Sequence, residues 1–231
     1  MLKLDRCVIE NGSFTLSADI EIETGANVAI IGPSGAGKST LLETIAGFRD
    51  LKKGQILWDG ARISNLLPGQ RPLAMLFQDG NLFPHLTAAQ NVALGLRPNG
   101  RLTTDEEAQV LSALDRVALP GFGDRRPAEL SGGQQSRVAL ARVLVQHRAL
   151  LLLDEPFAAL GPALKAEMLD LVAGLVAETD TTFLMVSHDP QDARRIAGQT
   201  VLVADEVVHA PAQTETLFDN PPPSLRAYLG S

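Results

Sequence analysis

The chain has 231 residues, 45% of them hydrophobic and 20% charged, with a formal net charge of −7. That length and balance suit one substantial core with room for an inserted subdomain, while the acidic charge argues against a general nucleic-acid binder, which needs a basic footprint. The single cysteine, Cys7, excludes an intrachain disulfide, makes a reducing compartment the default and is most simply a small core residue.

Met1–Arg6 carries no apolar signal core. No stretch approaches the ~18 apolar residues of a membrane-spanning helix, so the chain is expected not to cross a membrane by itself. Residues 2–24 alternate enough for short strands, with turns at Asn11-Gly12 and Thr24-Gly25. Asn27–Ile31 is an apolar run of strand type. It leads into Gly32-Pro33-Ser34-Gly35-Ala36-Gly37-Lys38-Ser39 and then into a helical pattern, Thr40–Ala46. The spacing G-x-x-x-x-G-K-[ST] is that of a phosphate-binding loop, and strand–loop–helix is the context it requires. Glycines at 32, 35 and 37 let the backbone approach a polyphosphate with no Cβ in the way. The loop N–H groups, through Thr40 at the helix start, face negative charge. Lys38 is expected to neutralise β- and γ-phosphates, and Ser39 to place its hydroxyl on Mg²⁺.

Gln55–Trp58 followed by Asp59-Gly60 reads as a strand and turn, and Leu73–Phe77 as a core strand ending at Gln78. From about Asp79 to Gly133 the pattern changes to helices broken by Pro and Gly. Residues 130–134 read Leu-Ser-Gly-Gly-Gln, ahead of the helical run Arg137–Leu144. Leu150–Leu153 is short and wholly apolar, which fits a strand buried on both faces of a parallel sheet. Asp154-Glu155-Pro156 would then sit at the ligand crevice, beyond the carboxyl end of that strand. A carboxylate placed like Asp154 can hold Mg²⁺, through a water. Thr182–Val186, followed by Ser187-His188-Asp189, and Val201–Ala204 return to strand character. His85, His147 and His209 show no metal-ligand spacing. Pro221-Pro222-Pro223 is expected only to stiffen the approach to the C-terminus.

The order of phosphate loop, Leu-Ser-Gly-Gly-Gln and apolar-Asp-Glu resembles the ATP-binding cassette (ABC) family over nearly the whole chain. The resemblance implies an α/β P-loop NTPase of RecA-like type with an antiparallel β subdomain and an inserted α-helical subdomain. Residues 1–78 and 134–231 would form the nucleotide-binding core with its β subdomain, and 79–133 the helical subdomain. It implies ATP and Mg²⁺ as ligands. Glu155 matches the catalytic glutamate that polarises the attacking water. His188 resembles the switch histidine on the γ-phosphate, and Gln78 the glutamine that senses Mg²⁺ and water and links the site to the helical subdomain. Ser131, Gly132, Gly133 and Gln134 would close over nucleotide held by the loop of a second copy, so the active form is expected to be a head-to-tail homodimer.

Two positions depart from the family pattern. Where it usually reads Ser-Ala-Leu-Asp, this chain has Ala158-Ala159-Leu160-Gly161, so hydrolysis or its coupling across the dimer is expected to be weakened. Where an aromatic residue usually stacks on adenine, the chain has Asn11 and Gly12. Phe14 is the nearest aromatic, either a core residue or an adenine platform.

Within the family the chain is similar to the ATP-binding subunit of bacterial thiamine importers. The stretches that carry this are Met1–Leu4, Gly32–Leu42 with Ile45–Phe48, Arg71–Gln78, Asn81–Leu96, Leu184–His188 and Val203–Asp205. The chain is expected to lack the further C-terminal regulatory domain of many sugar and anion importers, which slightly favours that branch. The resemblance implies a separate membrane permease docking near Asn81–Leu86, a periplasmic or extracellular solute-binding protein acting indirectly, no nucleic acid, and a peripheral place on the cytoplasmic face of the bacterial inner membrane. Thiamine or thiamine phosphate is the expected solute. The same motifs also fit importers of ferric iron, polyamine, sulfate or molybdate. Readings of another class are a soluble non-transport cassette ATPase and a regulatory module with feeble hydrolysis.

Overall fold

The computed structural model describes residues 1–12, 14–78, 80–98 and 101–229. Asp79, the expected first residue of the helical subdomain, lies outside them, as does the side chain of Asn11. Strands β1 (Leu2–Asn11), β2 (Phe14–Ile22) and β3 (Asn27–Ile31) lead to α1 (Lys38–Ala46). Next come β4 (Lys53–Trp58), β5 (Ala61–Arg62) and β6 (Leu73–Leu76). Helices α2 (Ala88–Ala93), α3 (Thr104–Arg116) and α4 (Gly132–Leu144) precede β7 (Leu150–Asp154). Then follow α5 (Pro162–Ala177), β8 (Thr182–Val186), α6 (Pro190–Ile196) and β9 (Gln199–Ala204). The chain closes with β10 (Val207–Val208), β11 (Ala212–Gln213), α7 (Thr214–Asp219) and α8 (Pro223–Leu229).

The strands join in the order β5-β4-β1-β2-β10-β9-β3-β8-β7-β6, with β11 on β9. Neighbours from β9 to β6 run parallel. The β5-β4-β1-β2 segment is antiparallel. The four leucines of β7 explain why its sequence has no alternation. Leu150 and Leu152 face a core shared with Leu41, Leu42 and Ile45 of α1 and with β1 and β2. Leu151 and Leu153 face the other core, with Val138 of α4 and Met168 of α5. Each fully buried leucine contributes roughly 1.5–3 kcal/mol, so a polar residue on either face would be costly.

Two expectations change. The boundary set between residues 133 and 134 falls inside the first turn of α4, which starts at Gly132. The triproline is more than a stiff approach, because Pro223 is the first residue of α8. Proline suits a first helical turn, where its missing N–H has no partner to lose. Pro222 O accepts from Arg226 N at 2.9 Å, and Pro221 O from Arg226 Nε at 2.8 Å.

Candidate active site

The parallel register brings the strand ends together. Ile30 and Asp154 both pair with Val186, and Leu76 pairs with Leu153. The loops after β3, β8, β7 and β6 therefore leave one edge of the sheet side by side, where ligands of open α/β sheets bind. They carry residues 32–39, 187–189, 154–156 and 77–78.

The phosphate loop is built tightly. At Gly32 (φ +149°) a Cβ would lie 2.0 Å from Val203 O, so a side chain cannot enter. At Gly37 (φ +98°) a Cβ would lie 2.8 Å from the ring of Phe14. Phe14 is half-buried and packs beneath the loop as part of the core around α1. Lys38 is buried, 4% exposed, and its Nζ donates to Gly32 O at 2.8 Å and Pro33 O at 2.9 Å. Burial pushes its pKa down, and the nearby Glu155 and Asp154 oppose that.

Ser39 Oγ donates to Asp154 Oδ1 at 3.0 Å. Burial pushes the Asp154 carboxyl above its ordinary value, and Glu155 and Glu43 add to this against the Ser39 hydrogen bond and Lys38. A hydroxyl–carboxylate pair at the open mouth of a phosphate loop, with Ser39 exposed and Asp154 half-buried, is hard-oxygen chemistry that fits Mg²⁺. Among the described residues no group of three or more His, Cys, Asp or Glu side chains converges as a metal cage. A cation here would take most of its ligands from phosphates and water, which is how Mg²⁺ is commonly held.

Glu155 sits in the left-handed backbone region (φ +47°), its N–H donating to Val186 O at 3.2 Å. Its carboxylate pairs with His188 Nε2. The His188 side chain is 44% exposed and open to an incoming anion. Gln78 is exposed and lines a cavity of about 550 Å³ with Gly132, Gln135, Pro156 and Ala159. No hydrogen bond among the described residues joins it to Ser39, Asp154 or Glu155. Ser131 caps α4: its Oγ accepts from Gln134 N at 3.3 Å, and Gln134 Oε1 accepts from Ser131 N at 2.9 Å. None of these bonds reaches the phosphate loop of the same chain.

Two supporting residues escape motif reading. Arg71 is buried, and its guanidinium donates to Thr44 O, Ile45 O, Leu66 O and Ser64 O at 2.7–3.3 Å. It thereby closes the far end of α1 and ties it to the root of β6. Asn91 is fully buried, accepts from Phe83 N at 2.8 Å and donates to Phe83 O, Leu86 O and Thr87 O at 3.0–3.3 Å. A lone amide between the buried Ala88 and Val92 was the available signal.

The α/β cassette expected from the motifs is the one present, and the chain belongs to the ABC transporter family, whose profile matches residues 16–158. It is 62% identical over 231 residues to the thiamine import ATP-binding protein ThiQ of Ruegeria sp. (strain TM1040), with all of both chains covered. It is 57% identical over 230 residues to the protein of the same name from Cereibacter sphaeroides, again with all of both chains covered. The dimeric structure of a post-hydrolysis state of the ATP-binding cassette MJ0796 bound to ADP and Pi superposes with a TM-score of 0.79. That match is 29% identical and covers 93% of this chain and 99% of the other. Among the described residues no helix is long and apolar enough to cross a membrane.

Proposed function

We propose that the chain is the ATP-hydrolysing subunit of a bacterial importer of thiamine or thiamine phosphate, working through a separate membrane permease. The observation that carries the chemistry is the convergence of Lys38, Ser39–Asp154 and Glu155–His188 at one sheet edge. End-to-end similarity to thiamine import proteins supports the solute.

The loop amides and Lys38 hold the phosphates, Lys38 leaving the carbonyls of Gly32 and Pro33 to do so. Ser39 directly, Asp154 through water and Gln78 at the edge of the site would hold Mg²⁺, which supplies charge neutralisation between β- and γ-phosphates. Glu155 accepts the proton of the attacking water. His188 turns from Glu155 toward the γ-phosphate. Two copies lie head to tail, so that Ser131, Gly132, Gly133 and Gln134 of each cover the nucleotide of the other. ATP favours this closed pair over ADP and phosphate, and the difference in affinity drives the cycle.

The helical segment that begins near residue 79 and runs into α4 acts as the helical subdomain, and Asn81–Leu86 receives the permease. Phe83 is 47% exposed there, a large apolar side chain available to a helix in a groove. A solute-binding protein acts through the permease, and the subunit sits peripherally on the cytoplasmic face of the inner membrane. Uptake of labelled thiamine tests the proposal, in cells with the cognate permease and binding protein but no other cassette. Uptake with wild type and none with Glu155→Gln is expected. ATP hydrolysis without thiamine uptake would reject the solute and leave the ATPase standing.

A further inference from the structure

We propose that Tyr228 is a positioning residue for ATP hydrolysis, its hydroxyl on α8 holding the main chain of His188 in place. This rests on the role given to His188 above.

The loop around His188 is pinned on both sides from within its own neighbourhood. Ser187 N donates to Ile30 O at 3.2 Å, and Ser187 Oγ donates to Asp192. Lys165 Nζ of α5 reaches Asp189 Oδ2 at 3.0 Å and Asp192 Oδ1 at 2.8 Å. The carbonyl of His188 itself has one donor among the described residues, the Tyr228 hydroxyl, 40 residues further along the chain.

The hydroxyl is also placed by the packing of its own helix. Leu225 of α8 is fully buried, and Tyr228 and Leu229 pack against the core around α4 and α5. A held carbonyl fixes its peptide plane. With the Ser187 side fixed as well, His188 keeps its side-chain torsions as its remaining freedom. It can swing between Glu155 and a phosphate without the backbone drifting. Burial, with Asp189 and Glu155 nearby, raises the Tyr228 pKa, so the hydroxyl stays a donor through the neutral range.

The test is steady-state ATP hydrolysis by the full chain assembled with its permease, comparing wild type, Tyr228→Phe and His188→Ala, with thermal melts alongside. Phenylalanine keeps the ring that packs α8 and removes only the donor. The expected result for Tyr228→Phe is a kcat lowered about 5-fold, the size of one modest hydrogen bond felt in the transition state. KM for ATP should stay within about 2-fold, and Tm should fall by no more than the ~2–4 °C that loss of one hydrogen bond gives a chain of this size. Tyr228→Phe at the wild-type rate, with His188→Ala impaired, overturns this inference and leaves the role of His188 intact. His188→Ala at the wild-type rate overturns both. A raised kcat, or a loss that comes with a matching change in KM or a Tm lowered by more than that, marks a different or merely structural part and overturns the inference too.

Discussion

Glu155 and His188 face each other across the ends of β7 and β8, the carboxylate on Nε2 of the imidazole. Each follows a strand buried on both faces, so neither main chain has room to wander. Glu155 reaches its partner through a left-handed backbone (φ +47°), a conformation that costs a non-glycine residue about 1 kcal/mol or more. The surrounding sheet holds it there through the hydrogen bond to Val186 O.

Glu155→Gln keeps the shape of the side chain and loses its basicity. The expected kcat is about 10²–10³-fold lower, the usual contribution of a positioned base, with nucleotide affinity retained. Single-turnover hydrolysis and a nucleotide titration check the two halves separately. A variant that turns over at the wild-type rate would remove Glu155 from the mechanism.

Asp154 is raised by burial, so its ionised form is the costly one in the folded protein. Below the ordinary carboxylate pKa of ~4 the group is protonated in both folded and unfolded chains and carries no penalty. The penalty grows as pH rises through the folded value. Asp154→Asn, which can still accept from Ser39, should therefore melt a few degrees higher than wild type at neutral pH, an advantage that disappears in acid. It should also lose Mg²⁺-dependent turnover. Melts across a pH series decide this, and a lower Tm at neutral pH would refute it.

Asn91 spends its whole amide on the 83–87 loop. Asn91→Ala should cost about 2 kcal/mol in denaturant unfolding, because it strands a buried N–H and loosens three carbonyl contacts. Solute uptake should fall further than ATP hydrolysis, since the loop it shapes is the proposed permease contact. An equal fall in both activities would count against that assignment.

Gly161 is the N-cap of α5 without any side-chain cap, and a Cβ there would meet nothing within 4 Å. Gly161→Asp should stabilise the protein by about 0.5–1 kcal/mol, from capping and the favourable charge at the helix start. The same substitution restores the aspartate this family usually carries, so turnover in the permease complex should rise. A variant that is both no more stable and no faster would show that the glycine is not the weak point.

What the sequence disclosed depended on how local each feature is. The phosphate loop, the Leu130–Gln134 run ahead of a helix and the apolar runs of β3, β7 and β8 are set by contiguous residues, so their spacing sufficed. Arg71 and Tyr228 reach main chain 26 to 40 residues away and Asn91 main chain 4 to 8 residues back, and their types say nothing of which carbonyl they will reach. The two-residue strand β11 exists only because β9 offers it an edge, and β10 because it fits between β9 and β2. The helix α8 was hidden behind a triproline that reads as a stiff approach to the C-terminus, although its last proline begins the helix. Lys38 shows the same limit from the other side. Its motif names the phosphates it serves, and nothing in the motif names the carbonyls of Gly32 and Pro33 that hold it in the fold.

The place of β3 in the sheet has a consequence for how the protein is made. Its neighbours are β8 and β9, and the second of these ends at Ala204. A ribosome adding roughly 5–20 residues per second takes on the order of ten to thirty seconds between the strand and its last partner. Until β8 is made, Val28–Ile31 has both edges unpaired, and the face carrying Ala29 and Ile31 lacks the α4, α5 and β8 residues of its core. The nucleotide site is thus among the last parts of the molecule able to form, although its glycines are among the first residues translated. Chains stopped before β9 should be aggregation-prone clients of chaperones, with no capacity to hold ATP on their way to the full sheet.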